Sequence, residues 1–164
     1  MDTPGLTIDF AGAEDWPEES VTILEKAVLA ACAHDADRVT FPAELSVLLS
    51  NDAAIRELNR DWRGKDSATN VLSFPADTPA MPGFPCLLGD IVFARETVER
   101  EAADQGKTFE AHLMHLAVHG FLHLLGFDHE DLSDAAVMEG HEIDILASLG
   151  VANPYLEMDT AVAE

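Results

Sequence analysis

The sequence predicts an α+β domain, one small mixed four-stranded sheet with about five helices packed on it. Three observations predict it. Four short apolar stretches are bounded by Pro, Gly or small polar residues, as strands are, and five longer stretches repeat their apolar residues at helical spacing. The third and fourth strands are joined by a loop alone, which breaks the regular alternation of a parallel α/β fold. With 164 residues, nearly half of them apolar, the chain can bury one sizeable core, and residues 1–155 read as a single domain without repeats or linkers.

The elements follow in order. Residues 6–10 alternate as a short strand. Pro17 suits the first turn of a helix reaching about His34, with Val21, Leu24, Ala27, Val28 and Ala31 as its apolar side. Residues 44–50 form a second strand, closed by Asn51-Asp52, which can cap a helix that Gly64 ends. Residues 70–74 are a third strand stopped by Pro75, and the Pro-rich loop over 76–85 is long enough to suggest a surface role. Residues 88–94 are the fourth strand. A helix over 95–105 closes at Gly106, and Thr108 can cap the next one, which runs to Leu125. Ser133 opens a last helix that Gly150 ends, and the tail over 156–164 has little to bury and is expected to be loose.

The charge is extreme, −22 at neutral pH. It argues against generic adsorption to nucleic acid or an anionic membrane. No apolar run approaches the roughly 20 residues that a membrane helix needs. The first residues have neither the basic start nor the apolar core of a secretory signal, and Cys32 and Cys86 lack CxxC spacing. A cytoplasmic protein is expected. Of nine Lys and Arg residues, four fall together: Arg56, Arg60, Arg63 and Lys65. The three arginines share one helix stripe, which points to an anionic ligand.

The most specific chemistry lies in His119-Gly120-Phe121-Leu122-His123-Leu124-Leu125-Gly126-Phe127-Asp128-His129. His119 and His123 sit one turn apart, roughly 6 Å along the axis of one helix. Gly126 lets the chain leave that helix and bring His129 back toward the pair. Three imidazoles with a fourth position left for water are the layout of a catalytic rather than a structural zinc site. The spacing is that of the metzincin protease pattern HExxHxxGxxH, but Gly120 replaces the glutamate that takes the proton from water in those enzymes. That counts against a peptidase. A phosphodiester fits better, because metal and arginine together stabilise its anionic transition state.

The histidine segment with Met114-His115-Leu116-Ala117-Val118 before it closely resembles the YbeY family. So do Arg63-Gly64-Lys65-Asp66, Thr69 to Pro75, Leu88-Gly89-Asp90-Ile91, and Leu149-Gly150 followed by Asn153-Pro154-Tyr155. The resemblance spans nearly the whole chain in order. It implies a metal-dependent endoribonuclease specific for single strands, acting in 16S rRNA 3′-end maturation and ribosome quality control. Implied with it are one zinc ion on His119, His123 and His129, a catalytic Arg63 near the metal, and a groove lined by Ser73, while Arg56, Arg60 and Lys65 are candidate substrate contacts from the basic segment itself. The implied partners are single-stranded RNA, ribosomal RNA and small ribosomal subunit proteins. Phe127 departs from the family in standing where Tyr is frequent, and His141 lies outside the pattern and reads as a helix-surface residue.

Other roles stay open at this level. Asp128 either orients a ligand imidazole or caps the turn. His115, one turn before His119, is expected to pack behind the ligands rather than join them. Asp90, a carboxylate within a strand, is expected to bond backbone or a ligand histidine. A non-catalytic, zinc-stabilised ribosome-assembly factor and a zinc peptidase are the alternative functions.

Overall fold

The computed structural model describes residues 5–77, 81–128 and 130–155. The expected tail over 156–164 lies outside the described residues, as do 78–80 of the long loop. In chain order the described residues form β1 (Leu6–Ala11), α1 (Ser20–His34), β2 (Ala43–Ser50), α2 (Asp52–Arg63), β3 (Val71–Pro75), β4 (Cys86–Ala94), α3 (Arg95–Asp104), α4 (Phe109–Leu124) and α5 (Leu132–Ser148). Four strands and five helices make the predicted α+β fold. Short 3₁₀ turns at Ala13–Asp15 and Ala36–Arg38 were not foreseen.

The element ends follow capping chemistry. Asn51 caps α2 by accepting the Ala54 N–H, and Thr108 caps α4 by accepting that of Ala111, both as the sequence suggests. Two expectations shift. Pro17 lies in a turn ahead of α1, its carbonyl accepting the Ser20 N–H at 3.0 Å, so it precedes the helix rather than starting it. Asp131 caps α5 by accepting the Asp134 N–H at 2.8 Å, which moves that start one residue ahead of Ser133.

The sheet order is β1-β2-β4-β3, with β1, β2 and β4 parallel and β3 antiparallel on the edge. A bulge shifts the β2–β4 register after Glu44 and puts Gly89 at φ 137. A Cβ there would lie 2.2 Å from the Phe74 carbonyl oxygen, so only glycine permits that approach of β4 to β3.

Alternation along β4 sends its side chains to two cores. Ile91 and Phe93 join the large core beneath α1 and α4, with Leu45, Val47 and Leu49 of β2. Val92 and Ala94 point the other way, toward Ile55 of α2 and Leu72 of β3. Asp90 shares the α2 side and is exposed. This corrects its expected role: strand parity turns it away from α4 and the ligand histidines.

Helix α4 is the centre of the fold, in contact with α1, α3, α5, β3 and β4. It is apolar on most sides, as a helix enclosed by neighbours must be. Its approach to the sheet depends on Gly120. A Cβ there would stand 3.1 Å from Ile91 Cγ2, 3.1 Å from Ser73 Oγ and 3.4 Å from Val71 Cγ2. The Ser73 hydroxyl also donates to the Gly120 carbonyl at 2.9 Å, tying β3 to the helix.

The position that holds glutamate in HExxH proteases therefore faces packed strands, where even a Cβ would press on its neighbours. Gly120→Glu, which restores that pattern, is expected to destabilise the fold by ~3 kcal/mol or more through overpacking and burial of a charge. Chemical unfolding measures this; a variant as stable as the parent would refute the packing argument.

Candidate metal centre and cavity

The second half of α4 carries the site. His119 and His123 emerge beside edge strand β3, and their rings lie 4.5 Å apart between centroids. After the helix, Gly126 at φ 101 turns the chain. The Phe127 N–H then donates to the Leu122 carbonyl at 3.1 Å. In return the Phe127 carbonyl accepts the His123 Nδ1–H at 3.0 Å. The predicted helix exit thus folds back on the pair. His129, the third expected ligand, lies outside the described residues.

Proton placement defines what the pair can hold. His119 Nδ1–H donates to Glu142 Oε2 at 2.8 Å. With the proton on Nδ1 of each ring, as these acceptors favour, both Nε2 atoms are acceptors, and they stand 3.0 Å apart. Two facing lone pairs repel unless a proton or a cation lies between them. Nitrogen pairs of this kind suit zinc and neighbouring divalent metals, so the donor set fits such an ion.

Glu142 is the functional residue that sequence reasoning missed. It is 0% exposed and lies on the buried stripe of α5 with Met138 and Ile145. That position was the available signal, because a carboxylate among core residues needs donors. It has three: His119, His115 through Nε2 at 3.0 Å, and the Tyr155 hydroxyl. Burial pushes the carboxyl upward, but the hydrogen bonds from His115 and His119, helped by Tyr155, outweigh it and bring the pKa down to about 2. Burial, then the carboxylate, pushes the Tyr155 hydroxyl up, so it stays a donor. His115 accordingly supports the carboxylate behind His119.

Arg63, Ser73, Asp128, His119 and His123 line one open cavity of about 650 Å³, which Glu130 also borders. Arg63 arrives there from the last turn of α2. Its companions on the stripe do not share the cavity lining. Arg56 pairs with Asp66, Nε to Oδ1 at 2.8 Å, and Arg60 with Asp61 at 3.2 Å, while Lys65 is exposed outside it. Asp128 accepts the Glu130 N–H at 3.1 Å, which is the turn-capping option. His141 departs from the helix-surface reading: its Nδ1 lies 3.0 Å from the buried Asp35 and its ring packs on Phe127.

Comparison with known proteins agrees over the whole fold. The family model described as Endoribonuclease YbeY matches residues 12–150. A protein named Endoribonuclease YbeY from Rhodopseudomonas palustris (strain BisA53) is 53% identical over 163 residues, covering 96% of this chain and 94% of that one. One of the same name from Rhizobium johnstonii is 51% identical over 153 residues, covering 88% and 89%. The solution structure of TM1509 from Thermotoga maritima superposes with a TM-score of 0.57 at 23% identity, over 88% of this chain and 91% of that one, a likeness of fold. Among the described residues no helix is long and apolar enough to cross a membrane.

If Glu142 fixes the His119 tautomer, Glu142→Gln should weaken zinc binding by about 10–100-fold, the usual effect of removing a carboxylate behind a ligand imidazole. Competition with a chromophoric chelator reads this directly. Unchanged affinity would show that His119 is oriented without Glu142.

Proposed function

The chain belongs to the YbeY endoribonuclease family, and from that premise we propose that it is a zinc-dependent, single-strand-specific endoribonuclease acting in 16S rRNA 3′-end maturation and ribosome quality control. The observation that carries the proposal is the convergence of Arg63 with His119 and His123 on one cavity. In this reading His119, His123 and His129 hold one zinc ion per chain. Bound there, the cation supplies Lewis acidity, which acidifies water and offsets charge developing on phosphoryl oxygens.

The chain's own residues do the remaining work. Arg63 presents a planar fork of N–H donors to the nonbridging oxygens of the scissile phosphate. Its charge counts most where the phosphate becomes more negative, in the transition state. Glu142 keeps the His119 proton on Nδ1, and the Phe127 carbonyl does the same for His123. Trp62, 72% exposed next to Arg63, offers a face on which an unstacked base can lie, as single strands allow and duplexes do not. Ser73 borders the path of the substrate from β3, and Arg56, Arg60 and Lys65 belong to its outer approach.

Charge sets the binding regime. A chain at −22 repels RNA at long range, so affinity rests on a few local contacts and falls with salt only as steeply as those contacts dictate. Ribosomal RNA and small ribosomal subunit proteins are the proposed partners in this compartment, the cytoplasm. Gly120 itself disfavours the peptidase alternative, since the chain carries no carboxylate at that position and a side chain there would press on Ile91, Ser73 and Val71.

The role of Arg63 is tested by cleavage of a single-stranded RNA with zinc content measured alongside. Arg63→Ala is expected to lose about 100-fold or more in turnover while taking up zinc like the parent. His119→Ala should lose both. Cleavage at the parental rate by Arg63→Ala would remove arginine from the mechanism.

A further inference from the structure

At the C-terminal end of α1, on the α5 side of the molecule, a second group of metal-ligating atoms converges. Asp35 ends α1 and is 3% exposed. Two imidazoles from different elements meet its carboxylate. His34 Nδ1 lies 2.9 Å from Oδ2, and His141 Nδ1, brought by α5, lies 3.0 Å from Oδ1. One ligand atom from each of the three residues falls within a mutual 4.8 Å. None of the three lines the cavity that holds Arg63 and His119.

We propose that His34, Asp35 and His141 form a binding site for a second divalent transition-metal ion. The donor set is two nitrogens and one carboxylate, which suits zinc, manganese, iron(II), cobalt or nickel and leaves positions for water. Ligand atoms at about 2.1 Å from one tetrahedral ion stand about 3.4 Å from each other, so the nitrogen–oxygen separations of 2.9 and 3.0 Å need to open by only a few tenths of an ångström to admit one. On the far side of the His34 ring, Asp144 Oδ2 lies 4.0 Å from Nε2. Both Nδ1 atoms lie at hydrogen-bond distance from the Asp35 carboxylate, so ligation through them requires the proton to move to Nε2 or leave.

Access and charge also favour a cation. The side chains of His34 and His141 are 34% and 29% exposed, so an ion has a route in, whereas the Asp35 side chain at 5% is shielded from competing water. The chain's charge of −22 raises the local activity of cations further. Bonding to both imidazoles would tie the end of α1 to α5. It would also hold the His141 ring, whose centroid is 4.6 Å from that of Phe127, the residue whose carbonyl positions His123. The site thus adjoins the catalytic loop without sharing a ligand with it.

The test is zinc uptake by the full chain after stripping with a chelator, measured by equilibrium dialysis at micromolar free zinc. Wild type should bind one zinc more per chain than either His34→Ala or His141→Ala. His119→Ala should retain the equivalent that those two variants lose. Circular dichroism checks folding; His34→Ala changes a partly exposed ring and decides the matter if His141→Ala does not fold. Anomalous scattering from zinc-loaded crystals of the wild type gives a second reading, with a peak expected within bonding distance of the Asp35 carboxylate. Equal uptake by wild type and His34→Ala, or no anomalous peak at Asp35, overturns the proposal and leaves two imidazoles hydrogen-bonded to a buried aspartate.

Discussion

A carboxylate in an apolar core costs several kcal/mol unless donors replace the water it gives up. Here that requirement organises the site. Glu142 meets it with donors from two places: His115 and His119 on α4, and Tyr155 at the end of the described chain. The same bonds therefore join α4 to α5 and to the closing turn, and settle which nitrogen of His119 carries the proton. The donors outweigh burial and bring the carboxyl down to about 2, so the clamp is charged at neutral pH. The histidine pair and the packing of the C-terminal helix are one structure, not a site added to a finished fold.

The second constraint is steric. Helix α4 can bring His119 and His123 beside an edge strand only because Gly120 lets it settle onto Ile91, Ser73 and Val71. A glycine at the contact leaves no proton acceptor at the position where a peptidase carries one, and in the proposed mechanism a cation and Arg63 stabilise the developing charge instead. Arg63 reaches the same cavity from the end of α2, whose body covers the opposite face of the sheet near its β3 edge. Both faces thus contribute a side chain to the one cavity beside β3.

Much of this was legible in the sequence because local rules dominate it. Asn51 and Thr108 capped the helices they were expected to cap, and the His119–His123 pair followed from helical spacing alone. The unforeseen parts are nonlocal. Glu142 looked like one acid among many in an acidic chain, and only its buried position on α5 sets it apart. His141 read as surface because nothing in the sequence reveals that α5 carries it to Asp35, 106 residues away. Asp90 was misread because strand parity depends on the bulge at Gly89, which the strand pattern does not mark. The arginine stripe was real as geometry, but Asp66 and Asp61 fold back on two of its members, and no periodicity displays such ion pairs.

The site turns on two imidazoles whose Nε2 atoms stand 3.0 Å apart while each Nδ1 meets an acceptor, Glu142 or the Phe127 carbonyl. Long-range proton–nitrogen NMR of the histidine rings measures this most directly. Both rings should carry the proton on Nδ1 in the metal-free protein at neutral pH, and added zinc should shift Nε2 of both together. A proton found on Nε2 of either neutral ring, or zinc that leaves those two nitrogens unmoved, would contradict it.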